Sequence, residues 1–133
     1  MQFPDRTAAI EIHREAARQR RARGDYSGAR AAYFSWVESV RQQNVNSKGT
    51  LDRELEEAKR EYSEFVKGDP LYQQIRDAAM QRIGEKPGIL QTDLYKALPQ
   101  FDKADIQYAI YFAEDHHAIV RVKKGRTYVL SLP

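Results

Sequence analysis

The chain has 133 residues, of which 22 are Lys or Arg and 19 are Asp or Glu, and it has no cysteine. The absence of cysteine excludes disulfides, a thiol nucleophile and cysteine-ligated zinc. Hydrophobic residues make up 41% of the sequence, which suffices for a packed core, and no apolar run approaches the length of a membrane span. The acidic residues and arginines among residues 1–20 do not fit a secretory signal peptide. We therefore expect a cytoplasmic protein with no membrane association.

Residues 1–67 have the pattern of three amphipathic helices, because apolar side chains recur at three- and four-residue spacing. Gly24-Asp25 breaks the pattern between the first two helices. A polar loop precedes the third helix, for which Thr50 is a suitable N-cap. The predicted helices cover residues 4–23, 26–43 and 50–67, with Pro4-Asp5 opening the first.

A module boundary is predicted at Gly68-Asp69-Pro70, where a glycine and a proline end one helix and start the next. The second module then contains a helix, a short extended segment at Ile89-Leu90, two further helices and a hairpin. Its strands are rich in β-branched residues and flank Gly125. The predicted helices cover residues 69–83, 91–98 and 102–115, and the predicted strands cover residues 119–122 and 127–130.

The order of elements in the second module resembles that of a winged helix-turn-helix domain. The resemblance rests on residues 88–98, on the helix of residues 102–113 and on the hairpin of residues 119–130. It implies that the two helices form a helix-turn-helix motif and that the hairpin is the wing. This fold serves many functions, so the resemblance implies an architecture rather than an activity.

The first module resembles a tetratricopeptide helical hairpin in the spacing of a turn glycine, an aromatic residue, a small residue and the large aromatic residues that follow. Gly24, Tyr26, Ala29, Tyr33 and Trp36 occupy these positions. The same segment is also similar to a microtubule-interacting-and-trafficking-type three-helix bundle. Both resemblances imply a groove that accepts a partner helix.

The expected fold class is therefore mostly α, with two modules. The first is a three-helix tetratricopeptide-like module at residues 1–67. The second is a winged helix at residues 68–133, with three helices and a hairpin wing.

No catalytic or cofactor motif occurs in the sequence, because it has no phosphate-binding glycine loop, metalloprotease His-Glu pair or nucleophile elbow. His116 and His117 are adjacent, but neighbouring side chains on a helix point about 100° apart and chelate one ion poorly. Capping and surface charge account for acids such as Asp93 and Asp102. We therefore expect no enzyme activity, no cofactor and no metal site.

Four cations surround the predicted hairpin turn, and no acidic residue follows Ala118. A basic wing can reach DNA phosphates or the minor groove, so duplex DNA is a candidate partner. The alternative is that these lysines are solvated and protect a sheet edge from pairing. The four candidate side chains are Arg121, Lys123, Lys124 and Arg126.

The last predicted helix presents polar and aromatic side chains outward if Ile106 and Ile110 face the core. Glutamine can read adenine edges, and lysine or tyrosine can bind phosphate. The helix also carries four acids and a single cation, however, which equally fits a protein-binding face with aromatic anchors. The candidate residues are Lys103, Gln107, Tyr108 and Tyr111.

Two further segments contain candidate contacts. The first is the short predicted helix of residues 91–98. The first helix of a helix-turn-helix motif often crosses the DNA backbone at its start, so Gln91, Thr92 and Lys96 are candidate phosphate contacts. A stripe on the first helix suits an acidic partner or nucleic acid, unless its cations pair locally and stabilise the helix end. This stripe and one large aromatic residue are the candidate partner contacts: Arg14, Arg18, Arg21 and Trp36.

The sequence is compatible with two functions. In the first, the winged helix binds duplex DNA without enzymatic activity, and the helical module binds a protein partner or a second copy. In the second, the protein is an adaptor in which both modules bind protein. The net charge of +3 does not decide between them, because it comes from two local basic features on a nearly neutral chain.

Overall fold

A computed structural model describes residues 6–133. Within this range the chain forms six helices and a C-terminal two-stranded antiparallel sheet, which confirms the expected mostly helical fold class. The predicted opening of the first helix at Pro4-Asp5 lies outside the described residues. The elements are α1 (Arg6–Ala22), α2 (Tyr26–Asn46), α3 (Asp52–Lys67), α4 (Pro70–Glu85), α5 (Gln91–Ala97), α6 (Lys103–Asp115), β1 (Val120–Lys124) and β2 (Thr127–Ser131).

The chain divides into two compact units between Val66 and Lys67. The first unit contains α1, α2 and nearly all of α3, and the second contains α4, α5, α6 and the hairpin. Each unit has its own set of buried apolar side chains, and each is described by itself below.

In the first unit, α1 and α2 pack closely because small residues line their contact. Ala17, Ala29 and Ala32 are all buried. Helix α3 docks through large rings instead, since Tyr33 stacks on Tyr62 with ring centroids 5.7 Å apart and on Phe65 at 5.0 Å. The core is therefore tight between α1 and α2 and aromatic toward α3.

The turn before α3 differs from the prediction. Helix α3 begins at Asp52, so Thr50 does not stand at the N-cap position, and its hydroxyl donates to Ser47 Oγ at 2.7 Å. Buried Asn44 holds the turn instead: its Oδ1 accepts from the Leu51 N–H at 2.6 Å, and its Nδ2 donates to Asp52 Oδ1 at 2.7 Å. Helix α2 also extends three residues beyond the predicted end at Gln43, which brings Asn44 into position.

In the second unit, the helices and the hairpin surround a core of branched aliphatic residues. Burying a side chain of this size contributes about 1.5–3 kcal/mol. The members that are almost completely inaccessible to solvent are Ile75, Ile83, Leu94, Leu98, Ile106, Ile110, Ile119 and Leu130.

Strand β2 is paired on both sides, whereas β1 is paired on one. Residues 120–124 of β1 pair with residues 127–131 of β2, with Val122 opposite Val129. On its other side, β2 forms an isolated bridge between Val129 and Leu90, where the sequence predicted a short extended segment. The Leu130 N–H donates to the Ile89 carbonyl at 2.9 Å, so the start of α5 is fixed to the hairpin.

The hairpin turn is the two residues Gly125 and Arg126, and Gly125 has a φ of +62°. This conformation suits the first central position of a type II′ turn, which favours glycine because an L side chain is strained there. The turn therefore directs the strands back on each other and leaves the adjacent cations at the end of the hairpin.

No helix among residues 6–133 has the length and apolar character that crossing a membrane requires.

Candidate nucleic-acid interface

The tip of the hairpin, defined as residues 123–126, is basic and exposed. Lys123, Lys124 and Arg126 are all exposed to solvent, and within residues 6–133 none of them forms an ion pair. Three positive charges on a single turn, with no acid in the segment, make this end of the unit attractive to anions.

Arg121 differs from these three cations, so the expectation that four cations serve one surface is corrected. Its side chain is only 14% exposed and its Nη2 lies 3.1 Å from Glu114 Oε1 on α6. The guanidinium also lies over the Tyr128 ring, 4.3 Å from its centroid. Arg121 therefore fastens the hairpin to α6, and it offsets the charge of one acid near the end of that helix.

The start of α5 adjoins the hairpin. The Thr92 N–H donates to Thr127 Oγ1 at 3.4 Å, and Thr127 pairs with Lys124 at the base of the turn. Exposed Thr92 therefore lies next to the basic tip. Lys96, one helical turn further along α5, is exposed as well.

Gln91 is not available as a phosphate contact, which corrects the prediction. Its side chain is buried, and its Nε2 donates to Tyr95 Oη at 2.8 Å. The residue stands at the first position of α5, immediately after the Leu90 bridge, so its orientation follows from how the helix start is fixed to β2. The pattern of polar residues in the sequence gave no signal of this burial.

The start of α6 is close to α5. Lys103 Nζ lies 5.4 Å from the centroid of the Tyr95 ring. From Lys103, an exposed stripe runs along α6 through Gln107 to Tyr111 at intervals of four residues, so the three side chains share one face. Contacts along α5 thus join the basic tip to this stripe.

The prediction that Tyr108 is one of the outward contacts of α6 is corrected, because its hydroxyl is used inside the unit. Tyr108 Oη donates to Oδ2 of the fully buried Asp69 at 2.9 Å. Asp69 also caps α4, since its Oδ1 accepts from the Leu71 N–H at 3.1 Å. The hydroxyl therefore connects α6 to the start of α4.

Sequence reasoning missed a second basic region beside Lys96. An open groove between the end of α4 and α5 has three cations and two acids in its lining. One acid is partly offset, because Arg82 Nη1 lies 3.6 Å from Glu85 Oε2. Lys86 and Lys96 are ten residues apart and come together only through the fold. The groove is lined by Arg82, Glu85, Lys86, Ile89, Asp93, Lys96 and Ala97.

The predicted arginine stripe of the first unit is mostly used in internal contacts. Arg18 donates from Nε and Nη2 to the carboxylate of Glu61, with the shortest contact at 2.7 Å, and its guanidinium lies over Trp36 at 5.6 Å. Arg21 lies over Phe65 at 6.0 Å. Arg14 is half-buried. Arg18 and Arg21 therefore join α1 to α2 and α3.

The Glu61 carboxylate is the centre of this network. Tyr33 Oη donates to it at 3.0 Å alongside Arg18. Burial would raise the pKa of Glu61, but the hydrogen bonds from Arg18 and Tyr33 and the charges of Arg18 and Arg21 outweigh it, so the pKa lies below its ordinary value. Burial is also the main cause of the raised pKa of Tyr33.

Trp36 is a core residue and not an exposed partner contact, which corrects the prediction for this position. It is 5% exposed, and its ring lies 6.0 Å from that of Tyr33. The neighbouring aromatic residue that does face solvent is Phe34, which is 58% exposed. Helical spacing alone could not decide which of the three neighbouring rings points outward.

Comparison with known proteins found no matching family model, curated protein or solved structure.

Proposed function

We propose that the second unit is a winged helix that binds duplex DNA without enzymatic activity. The hairpin is then the wing, and α5 and α6 are the helix-turn-helix. The observation that carries the proposal is the exposed, unpaired set of cations at the wing tip, Lys123, Lys124 and Arg126, next to the start of α5. Cations supply most of the affinity of proteins for the phosphate backbone.

The exposed stripe of α6 supports this proposal. Its first half presents Lys103, whose type can bind phosphate, and Gln107, whose type can read a base edge. These residues lie in the N-terminal half of α6, the part of a recognition helix that contacts bases in helix-turn-helix complexes. Glu114, one of the acids at the end of α6, is held by Arg121. Thr92 and Lys96 supply contacts to the DNA backbone beside the wing, and Lys86 lines the same groove as Lys96.

The affinity of the isolated unit is expected to be modest. A single module of this size buries a small interface with DNA, and only a few phosphates are neutralised by the available cations. A second copy or a protein partner would raise the effective concentration of the unit at its DNA site. Stable occupation of that site inside a cell therefore favours one of them.

Titration of the full chain with random duplex DNA at two salt concentrations tests the proposal. The affinity should fall steeply with salt, and the Lys123→Ala/Lys124→Ala double variant should lower the slope of log affinity against log salt by roughly 2. The loss should be the same on unrelated DNA sequences, because the wing contacts phosphates. Absence of binding by the full chain at low salt contradicts the proposal.

Arg53→Ala/Arg60→Ala is a matched control. It removes the same number of charges from exposed positions of α3, in the first unit. The control should bind DNA like the unaltered chain. Equal weakening by both double variants indicates that only the net charge matters, and the wing assignment is then wrong.

An adaptor function is the second candidate, and one observation favours it. Tyr111 is 48% exposed and its ring packs edge-on against Phe112, with centroids 5.0 Å apart, which is a rigid aromatic anchor of the kind that protein interfaces use. In this function the stripe of α6 binds protein. Tyr111→Ala should then remove a partner in a pull-down while leaving DNA titrations unchanged.

A further inference from the structure

We infer that the outer edge of β1 is a binding site for an extended acidic peptide segment, which adds to the sheet as a further antiparallel strand. This inference goes beyond the proposed DNA function and does not depend on it. It rests on the open backbone of β1, on the apolar residues along one face of that strand, and on its charge.

The backbone of β1 is open on one side. In an antiparallel pair alternate residues direct their N–H and C=O groups at the partner strand, so the remaining residues of β1 direct theirs away from β2. Among the described residues no backbone group outside the hairpin hydrogen-bonds to residues 120–124. β2 offers no such edge, because Leu90 bridges it on its far side.

One face of β1 is apolar and accessible. Val120 and Val122 point to the same side of the strand, and they are 39% and 61% exposed. The opposite face is already filled, since Arg121 lies over Tyr128 and pairs with Glu114. A strand that joined the edge would therefore place its own apolar side chains beside the two valines on the open face.

Charge decides which occupant fits. Pairing all five residues of β1 with a second copy in antiparallel register puts Lys123 opposite Arg121 of that copy, and like charges directly opposite each other are destabilising. An acidic strand meets Lys123 and Lys124 with opposite charge instead. Strand addition is an established mode of peptide recognition, in which the backbone supplies affinity and alternate side chains supply specificity.

The complementary sequence follows from the register. Read from its N-terminus, the added strand lies opposite residues 124 to 120, so it needs two acids, then an apolar residue, a polar residue and an apolar residue. A blocked peptide with Glu-Glu-Ile-Thr-Val at its centre meets this requirement. The matched control is the same peptide with N-methylated backbone amides, which keeps every side chain and charge but cannot pair as a strand.

The test is titration of the full chain with both peptides, followed by backbone amide NMR. We expect shifts centred on Val120–Lys124 and binding at least tenfold tighter for the unmodified peptide. Val122→Thr should weaken binding, whereas Val45→Thr, which alters another exposed valine in the first unit, should leave it unchanged.

Three results overturn the inference. Equal binding of both peptides means that charge alone attracts them. Absence of binding at millimolar peptide means that the edge accepts no strand. If neither peptide moves the β1 amides while duplex DNA does, the edge belongs to the nucleic-acid interface.

Discussion

The hydroxyl of Tyr108 donates to Asp69, a carboxylate with no exposure to solvent, at 2.9 Å. The two residues are 39 positions apart, and the contact joins the N-cap of α4 to the middle of α6. It therefore sets the position of α6 within the second unit, and it explains why one tyrosine of this helix faces inward while Tyr111 faces solvent.

Tyr108→Phe should destabilise the second unit by about 1–3 kcal/mol, because it removes a donor from a buried carboxylate. Tyr111→Phe is the control and should change the free energy of unfolding by less than about 0.5 kcal/mol, since its side chain is exposed. Urea titration followed by amide NMR signals of α6 measures both. Equal effects of the two substitutions would contradict the structural role of Tyr108.

Glu61→Gln should make the stability of the first unit less dependent on pH. The folded state lowers the pKa of Glu61 below its ordinary value of 4.5, so the stabilisation is present above this value and is lost as the pH falls below it. Hydrogen bonds to a charged group contribute about 1.5–3 kcal/mol, and we expect a loss of this size at pH 7.

The difference in unfolding free energy between Glu61→Gln and the unaltered chain should shrink as the pH falls below the ordinary glutamate pKa of 4.5, because Glu61 becomes protonated in the folded state as well. The fluorescence of Trp36, the single tryptophan, reports unfolding of this unit. A difference that stays constant as the medium is made more acidic would show that the charge of Glu61 does not matter.

Gly125→Ala should destabilise the hairpin by about 1–2 kcal/mol because it forces an L side chain into a positive-φ conformation. A Cβ at this position meets nothing within 4 Å, so the cost comes from the backbone alone. Gly84→Ala is the contrast: it lies inside α4 with room for a Cβ, and should stabilise by about 0.5–1 kcal/mol. Chemical denaturation of both variants is the measurement, and a neutral Gly125→Ala would contradict the assigned turn.

Arg121→Ala should act on stability and not on DNA binding. It removes the ion pair with Glu114 and the contact over Tyr128, at a cost of about 1–2 kcal/mol. The salt dependence of DNA affinity should stay that of the unaltered chain, whereas Lys123→Ala should lower its slope by about 1. A slope that falls equally in both variants would place Arg121 at the phosphate backbone.

The sequence predicted the elements well because their signals are local. Periodic apolar residues gave the helices, and Gly125 between two β-branched segments gave the hairpin. The capping of α3 was predicted wrongly because the side chain of Asn44, seven residues before Leu51, accepts from the Leu51 N–H, and α3 begins only at Asp52.

The candidate site was harder to predict because whether a side chain is free to bind a ligand depends on partners that are distant in the sequence. Arg121 and Lys123 look alike in sequence, yet Arg121 pairs with Glu114 and lies over the Tyr128 ring, whereas the Lys123 side chain is exposed. Gln91 is buried because Leu90 is fixed to β2. Such pairings are long-range and leave no periodic trace.

In the proposed function, the hairpin tip, the start of α5 and the exposed stripe of α6 form one DNA-binding surface. Amide NMR of the full chain with a short random duplex tests it most directly. We expect the largest shifts at Thr92, Lys103, Gln107 and residues 123–126, with α3 unaffected. Shifts centred on the first unit, or none at low salt, would contradict the claim.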